Sequence, residues 1–252
     1  MNEADVIAAL DLPPSARVDQ RVPKKLLVEN GAPTAADKRK INEGIEEVFW
    51  LAALKPTTIG VPEFRDGTRE YLEIAVLRAV LRVTAQTARL AELIHRAVPY
   101  PVLLIAMQGD ELTISLAHKR HSQGEAGATV LDGALVVADP AAAAGAGVGA
   151  AFISELAVAR QPRTDLFALY QGWVDTVVAL LAAQVTGMFT IASSPEMAAS
   201  RRAALGECER LEAQMASLRA AAAKERQVAR QVKLNLELKR VKAELSAARA
   251  KL

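Results

Sequence analysis

The last part of the chain constrains the fold most strongly, because its composition permits a long helix and little else. From Glu196 to Leu252 there is no proline, and Gly206 is the one glycine. Ser194 and Pro195 stand immediately before this stretch, and a capping serine followed by proline is a typical start of a helix. A continuous helix of about 40 residues or more would reach about 60 Å. The sequence therefore predicts one long C-terminal helix.

Apolar side chains in the second half of this helix follow the spacing of a coiled coil. They step alternately by four and three residues, and the predicted seam consists of Leu234, Leu238, Val241, Leu245, Ala248 and Leu252. The same alternation occurs upstream in a different register, at Leu211, Met215, Leu218 and Ala222. The two registers meet in KERQVARQ, residues 224–231, which is either a polar break that fixes the register or an irregular solvated stretch. The seam predicts packing against a second copy or against the chain's own body.

Charge divides the chain into an acidic body and a basic tail. Residues 201–252 contain 13 Lys and Arg against 6 Asp and Glu, a net charge of +7, which leaves −5 of the total +2 for residues 1–200. A basic helix can bind phosphates because each neutralised phosphate releases a counterion, although such residues on a coiled coil are commonly just solvated. We predict that contacts to a partner or to nucleic acid involve Lys224, Arg226, Gln227, Arg230, Gln231, Lys233, Asn235 and Lys239.

The first 100 residues alternate between helical and strand-like patterns. Thr34 can cap a helix that ends at Pro56. The apolar positions of this helix follow at spacings of four and three, at Ile41, Ile45, Val48, Leu51 and Leu54. A short strand is predicted over Thr57–Pro62, and a longer one over Tyr71–Val83, whose nearly continuous apolarity is typical of a central strand. The segment Ala85–Val98 is predicted to form a helix.

The next 90 residues predict a hairpin, a third strand and two helices. Two strand-like runs flank Gly109 and Asp110, and the second run alternates apolar and polar residues. A further strand is predicted over Thr129–Ala138, and helices are predicted over Phe152–Arg160 and Asp165–Ile191. Between them, PAAAAGAGVGAA predicts a flexible link, since no Lys-Ser or Lys-Thr pair follows as a phosphate-binding loop requires.

These patterns together predict an α/β (α+β) protein. A mixed sheet of about five strands is flanked by helices and followed by a helical region and the long coiled-coil-type helix. The predicted boundaries are an α/β body over residues 1–139, an Ala/Gly-rich link over 140–151, a helical region that packs on the body over 152–193, and the basic helix over 194–252.

A second group of basic residues lies near the N-terminus. Arg21, Lys24 and Lys25 surround Pro23, and the residue before a proline is pushed out of the helical region. We therefore expect an extended, exposed basic segment, which is a further candidate for contact with a partner or with phosphate.

Other features exclude several classes of protein. Cys208 is the one cysteine, so an intramolecular disulfide and a multi-thiolate zinc site are both excluded. The N-terminus has no charged region followed by a continuous apolar run, so it does not resemble a signal peptide. Trp173–Ala192 is about as long as a membrane span, but Asp175 and Gln184 interrupt it and no basic flank follows. We expect a buried helix, no membrane contact and a cytoplasmic location.

No catalytic or metal-binding constellation is evident. His118 and His121 do not predict a metal site, because a third ligand is needed close by and a three-residue spacing at a strand end does not by itself place two imidazoles together. Both are expected at the surface, and His95 lies on a predicted helix. Asp66, Glu70 and Glu73 precede a strand as in restriction-type nucleases, but Ala75 stands where such a site would need lysine. The sequence predicts no cofactor, no metal and no catalytic residue.

Five segments resemble a known family when they are taken together and in order. They are LPPSARVDQRVPKK (12–25), LKPTTIGV (54–61), REYLEIAVL (69–77), HRAVPYPVLL (95–104) and KERQVARQVKLNLELK (224–239). The family they resemble is an uncharacterised bacterial domain-of-unknown-function family, found beside DNA methyltransferase and helicase genes in restriction-type defence loci. The resemblance implies a setting for the protein but no catalytic residues.

The resemblance and the basic helix favour an accessory, non-enzymatic subunit of a DNA restriction-modification or phage-defence complex. Its expected partner is the methyltransferase or helicase of the same locus, with nucleic-acid contact or self-association as further uses of the helix. Two other functions stay open. One is a metal-dependent nuclease whose cation is bound by Asp66, Glu70 and Glu73, and the other is a structural homodimer formed through the C-terminal helix.

Overall fold

A six-stranded mixed sheet is the framework of the first 180 residues. The structure is a computed structural model that describes residues 1–124, 127–142 and 146–252, and it divides into two units, Met1–Leu180 and Leu181–Leu252. The strands are β1 (Arg17–Arg21), β2 (Ile45–Leu54), β3 (Phe64–Arg65), β4 (Glu70–Tyr71), β5 (Ile74–Leu81), β6 (Val102–Gln108), β7 (Glu111–His121) and β8 (Thr129–Ala138).

The helices alternate with these strands and then continue without them. They are α1 (Glu3–Ala9), α2 (Lys24–Gly31), α3 (Ala35–Gly44), α4 (Pro56–Ile59), α5 (Thr87–Ala97), α6 (Ala146–Glu155), α7 (Leu166–Thr186), α8 (Pro195–Lys224) and α9 (Val228–Arg249). Short 3-10 turns occur at Pro14–Ala16, Pro140–Ala142 and Val158–Arg160.

The order of strands in the main sheet is β1-β2-β5-β6-β7-β8, while β3 and β4 form a separate two-stranded ribbon. Strands β5 and β6 are parallel, because α5 carries the chain back across the sheet between them, and the other neighbours are antiparallel. The predicted mixed α/β fold is thus confirmed, with six strands in place of about five. The central position of β5 and the β6–β7 hairpin, which turns at Gly109 with φ of +58°, are confirmed as well.

Helices cover both faces of the sheet. On one face α2, α3 and α5 enclose a core that includes Leu27, Ile41, Ile45, Leu77, Leu90, Ile94 and Leu104. On the other face lies α7, where the buried Tyr170 hydroxyl donates to the Val102 carbonyl oxygen at 2.7 Å. Among the described residues, α7 is the one helix long and apolar enough to cross a membrane, and 67% of its apolar window is buried. Interior contacts of this kind are typical of a helix that packs in a protein core.

The predicted helix from Thr34 to Pro56 is wrong in its second half. Helix α3 ends at Gly44, and Ile45–Leu54 forms β2 next to the central strand. The apolar spacing misled the prediction because β2 contains two register shifts, between Ile45 and Glu47 and between Trp50 and Ala52. Each bulge inserts a residue, so buried positions such as Ile45 and Val48 lie three residues apart rather than two.

Three shorter segments also differ from the predictions. Thr57–Pro62 is not a strand, because Thr58 accepts a hydrogen bond from the Lys55 amide and the chain forms the single turn of α4. Lys24 and Lys25 begin α2 instead of an extended segment. The predicted link 140–151 contains a 3-10 turn and the first residues of α6, while residues 143–145 lie outside the described structure.

The C-terminal region is not one rod. The helix is interrupted at Glu225–Gln227, and α9 returns antiparallel along α8 to form a helical hairpin. The interruption falls where the two apolar registers meet. A carboxylate oxygen of Glu225 accepts the amide hydrogen of Gln227 at 2.8 Å, which stabilises the turn. Folding back lets the two registers face one another inside one chain.

Close packing of α2 on α5 depends on Gly31. A Cβ atom at this position would lie 2.5 Å from the Leu93 carbonyl oxygen and 2.8 Å from the Ala97 Cβ. We expect Gly31→Ala to lower the free energy of unfolding by roughly 1–3 kcal/mol, because the backbone of α5 would have to move. Chemical denaturation measures this change. Gly206→Ala in α8, which meets no atom within 4 Å, is the matched control and should raise stability by about 1 kcal/mol.

Candidate functional site

The two arms of the hairpin are joined by an apolar seam. Helix α8 contributes Cys208, Leu211 and Met215, and α9 contributes Val241, Leu245 and Ala248, all of them buried. Leu238 and Leu252 pack partly buried against this cluster, and Leu234 is half-buried. An ion pair between Arg249 and Glu212, at 2.7 Å, links the arms. The predicted seam residues therefore have their packing partner within the chain.

A second line of apolar side chains faces away from this seam. Val228, Val232 and Leu236, here called the outer stripe, are 74%, 52% and 65% exposed. Their spacing of four residues places them on one side of α9. Of the exposed large apolar side chains among the described residues, seven lie in residues 181–252 and five in the much longer first unit. Three of these seven side chains form the outer stripe, which makes it a candidate interaction surface.

Basic side chains lie in the same segment of the chain as the outer stripe. The eight predicted contact residues are exposed, and the structure brings them together around the turn and the first three turns of α9: Lys224, Arg226, Gln227, Arg230, Gln231, Lys233, Asn235 and Lys239. Residues 224–240 contain six Lys and Arg against two Glu, a net charge of +4. Within the described structure, Arg226, Arg230 and Lys233 form no ion pair. Their charges are thus not neutralised by an ion pair in this part of the chain.

An open groove of about 490 Å³ lies between the middle of α8 and the C-terminal half of α9. Met215 and Leu245 form its apolar floor, and Arg219 and Lys242 stand at its edge. The groove adds a second partly apolar surface with basic edges to the same pair of helices.

The first unit holds a polar cluster that the sequence did not predict. Lys119 on β7 is 2% exposed, and its ammonium donates to the carbonyl oxygens of His95, at 2.5 Å, and of Val98. These carbonyls end α5, where a helix leaves such groups unpaired, so Lys119 caps the helix from the neighbouring sheet. Burial lowers the pKa of Lys119 to about 7, and burial together with the nearby Lys119 lowers the pKa of His95 to about 3.

A network of side-chain hydrogen bonds lies beside Lys119 and joins Tyr71, His118, Gln171 and Asp175. Gln171 accepts at Oε1 from the Nε2 of His118 at 2.9 Å and donates to Asp175 at 2.8 Å. His118 Nδ1 then accepts the Tyr71 hydroxyl at 2.6 Å. His118, expected at the surface, is half-buried, since its ring packs among Tyr71, Tyr170 and Phe167. Burial raises the pKa of Tyr71, so its phenol stays protonated and acts as a donor.

The three carboxylates considered for a nuclease have separate partners. Asp66 accepts from the amides of Thr68 and Arg69, both at 2.6 Å, in a tight turn. Glu70 pairs with Arg65, and Glu73 pairs with Lys55 at 3.0 Å. No group of three His, Cys, Asp or Glu residues able to hold a metal ion occurs within residues 1–124, 127–142 and 146–252. The described residues therefore contain no arrangement of Asp66, Glu70 and Glu73 that would support the nuclease hypothesis.

The N-terminal basic residues separate into two environments. Arg21 and Lys24 line a cavity at one end of the sheet, whereas Lys25 does not line it and pairs with Glu29 at 3.7 Å.

The sequence analysis did not predict the outer stripe, although the four-residue spacing of Val228, Val232 and Leu236 on the side opposite the seam could have indicated it. It missed Lys119 because nothing in the local pattern distinguishes a buried lysine on a strand.

A family model described as a domain of unknown function (DUF4391) matches residues 10–245. No curated protein and no solved structure matches the chain. The matched range covers the sheet and most of the hairpin.

Proposed function

The chain belongs to the DUF4391 family, and we propose that it acts as a non-enzymatic accessory subunit whose helical hairpin docks a partner protein. The observation that carries this proposal is the outer stripe, Val228, Val232 and Leu236, which is apolar, aligned and exposed. Burying these three side chains would contribute roughly 1.5 kcal/mol each, which is typical of the apolar core of an interface.

The chemistry of the surface favours a protein over nucleic acid as the occupant. Phosphate groups are bound by Lys and Arg and leave aligned Val and Leu side chains in water. A protein surface with an apolar groove and acidic edges complements both the stripe and the +4 charge of residues 224–240. The proposed partner therefore presents an acidic, partly apolar face.

The resemblance to a family of restriction-type defence loci supplies the proposed setting. There the partner is the DNA methyltransferase or helicase of the same locus, in a cytoplasmic restriction-modification or phage-defence complex. The seam of α9 is already packed against α8, so homodimerisation through the C-terminal helix, the structural alternative, would have to use the outer stripe.

The double variant Val232→Ser, Leu236→Ser tests this proposal. We expect its affinity for the co-expressed methyltransferase or helicase to fall by about tenfold or more, because the apolar contacts are lost while the seam is untouched. Co-purification and titration calorimetry with each partner measure the effect. Val83→Ser, which alters a side chain 79% exposed in the first unit, is the control and should bind as the unaltered protein does.

Three outcomes separate the alternatives. Retained co-purification of the double variant with both partners would overturn the proposal. Sedimentation velocity that shows a dimer of the unaltered chain and a monomer of the double variant would instead favour self-association. Binding of a DNA duplex that falls with Arg226→Gln and Lys233→Gln, but not with the apolar variant, would favour nucleic acid.

A further inference from the structure

The main sheet ends at two edge strands of different character. Strand β1 forms one edge and β8 forms the other. Main-chain groups on the outer side of an edge strand have no partner in the sheet, so such a strand can pair with another chain unless its sequence prevents it. The residues of each edge strand therefore decide whether a further strand can be added there.

Strand β1 is protected against such pairing. It is five residues long, and Arg17, Asp19 and Arg21 place a charge at every second position. Its register to β2 shifts between Arg17 and Gln20, where Asp19 has a positive φ of +48°. Proteins commonly block a sheet edge with a strand that is short, charged and bulged.

Strand β8 lacks most of these protections. Its ten residues, TVLDGALVVA, contain no lysine, arginine or proline, and Asp132 is the one ionisable residue. That carboxylate is neutralised within the chain, since it accepts from Arg69 at 2.6 Å and lies 3.8 Å from Arg120. A register shift that spans Gly133, whose φ is +93°, divides the strand. The half that follows the shift, residues 134–138, is wholly apolar.

The outer edge of β8 is free within the part of the chain that the structure describes. Strand β7 pairs with β8 on the inner side, and no other described residue bonds to the β8 main chain. Ala134 is exposed, and Val137 is 37% exposed. An exposed apolar edge of this kind is a template for pairing with another strand.

We propose that β8 pairs with the β8 strand of a second copy, so that two six-stranded sheets join into one. The two strands run antiparallel about a two-fold axis, because the same edge is used on both copies. Pairing over residues 134–138 complements itself, since no like charges meet across the axis. The joined sheet ends at two copies of β1, whose charges and bulge block further addition, so association stops at the dimer. This dimer does not use the outer stripe.

Sedimentation velocity and hydrogen exchange of the full chain, at about 1 and 100 µM, test the proposal. We expect a dimer whose fraction rises with concentration. Exchange over residues 129–138 should slow in the dimer, because the outer amides of β8 gain acceptors, while residues 17–21 of β1 should exchange equally at both concentrations.

Substitutions on the free edge separate strand pairing from other modes of association. Ala134→Lys and Val137→Lys should each weaken dimerisation about tenfold or more, because each places like charges across the joined strands. Val137→Thr is the matched control, since it keeps an uncharged β-branched side chain and should dimerise as the unaltered protein does. Circular dichroism verifies that each variant is folded. Co-purification with a methyltransferase or helicase should be unchanged in all three variants, so this test and that of the proposed function are independent.

Four results would overturn the proposal. One is a monomer of the unaltered chain at about 100 µM, and another is a dimer in which exchange over β8 is unchanged. A third is a dimer that both lysine variants retain, which would place self-association elsewhere, for example at the outer stripe. The last is slower exchange over β8 only when a partner protein is present, which would make an extended segment of that partner the occupant.

Discussion

Between pH 7 and pH 9, the free energy of unfolding is expected to rise, and Lys119→Met is expected to remove most of that rise. Burial lowers the pKa of Lys119 from its ordinary 10.5 to about 7 in the folded protein. Within this pH window the unfolded chain binds a proton at Lys119 that the folded chain does not hold, so stability increases with pH. A neutral amine still has two hydrogens, one for each carbonyl that it caps.

The expected gain over these two pH units is about 2 kcal/mol, measured by urea denaturation at each pH. The negative end of the α5 dipole favours the charged amine and offsets part of the effect of burial. Tyr71 and Tyr170 have raised pKa values and lower the stability above about pH 10 in both proteins, so the comparison stops at pH 9.

Lys25→Met is the control for this effect, because Lys25 is exposed and should leave the slope with pH unchanged. If Lys119→Met keeps the slope of the unaltered protein, the buried lysine is not the source of the rise in stability.

The loss of stability at acid pH has a separate cause. His95 has a pKa lowered to about 3, so its contribution to stability is lost as the pH falls from about 6.5 towards 3.

The strands that could be predicted are those whose burial is uniform or regularly alternating. Strand β5 is buried on both faces and its sequence is nearly all apolar, while β7 alternates along much of its length. Strand β2 could not be recognised, because its two bulges imposed a three-residue spacing that imitates a helix. The helical prediction there failed where tertiary pairing with β5 overrode the local pattern.

In the candidate sites, too, features that depend on neighbouring residues could be predicted from the sequence, and features that depend on distant residues could not. The seam of α9 and the basic residues around it depend on spacing within one helix, and the sequence contains that spacing. Other contacts join residues that are far apart in the chain, such as the hydrogen bond between His118 and Gln171. Lys119 likewise finds its acceptors on α5, so its capping role needs the folded sheet.

The difference between the two apolar sides of α9 yields the second large expected effect. Leu211→Ala removes a fully buried side chain from the seam, and we expect it to destabilise the hairpin by roughly 2–5 kcal/mol. Hydrogen exchange measured by mass spectrometry should show lost protection over residues 195–249, while β5 and β6 keep theirs. A two-helix unit has one seam, so no other apolar layer within the hairpin replaces the lost contacts.

Leu236→Ala is the matched control, because it shortens a leucine on the opposite side of the hairpin seam. It should alter the stability of the free protein by less than about 0.5 kcal/mol, since that side chain is 65% exposed. Equal loss of protection in the two variants would mean that the outer stripe is part of the fold, and the docking surface proposed above would then be wrong. If protection is lost in Leu211→Ala alone, the seam stabilises the hairpin and the outer stripe does not contribute to the fold. The outer stripe is then free to bind a partner, as proposed.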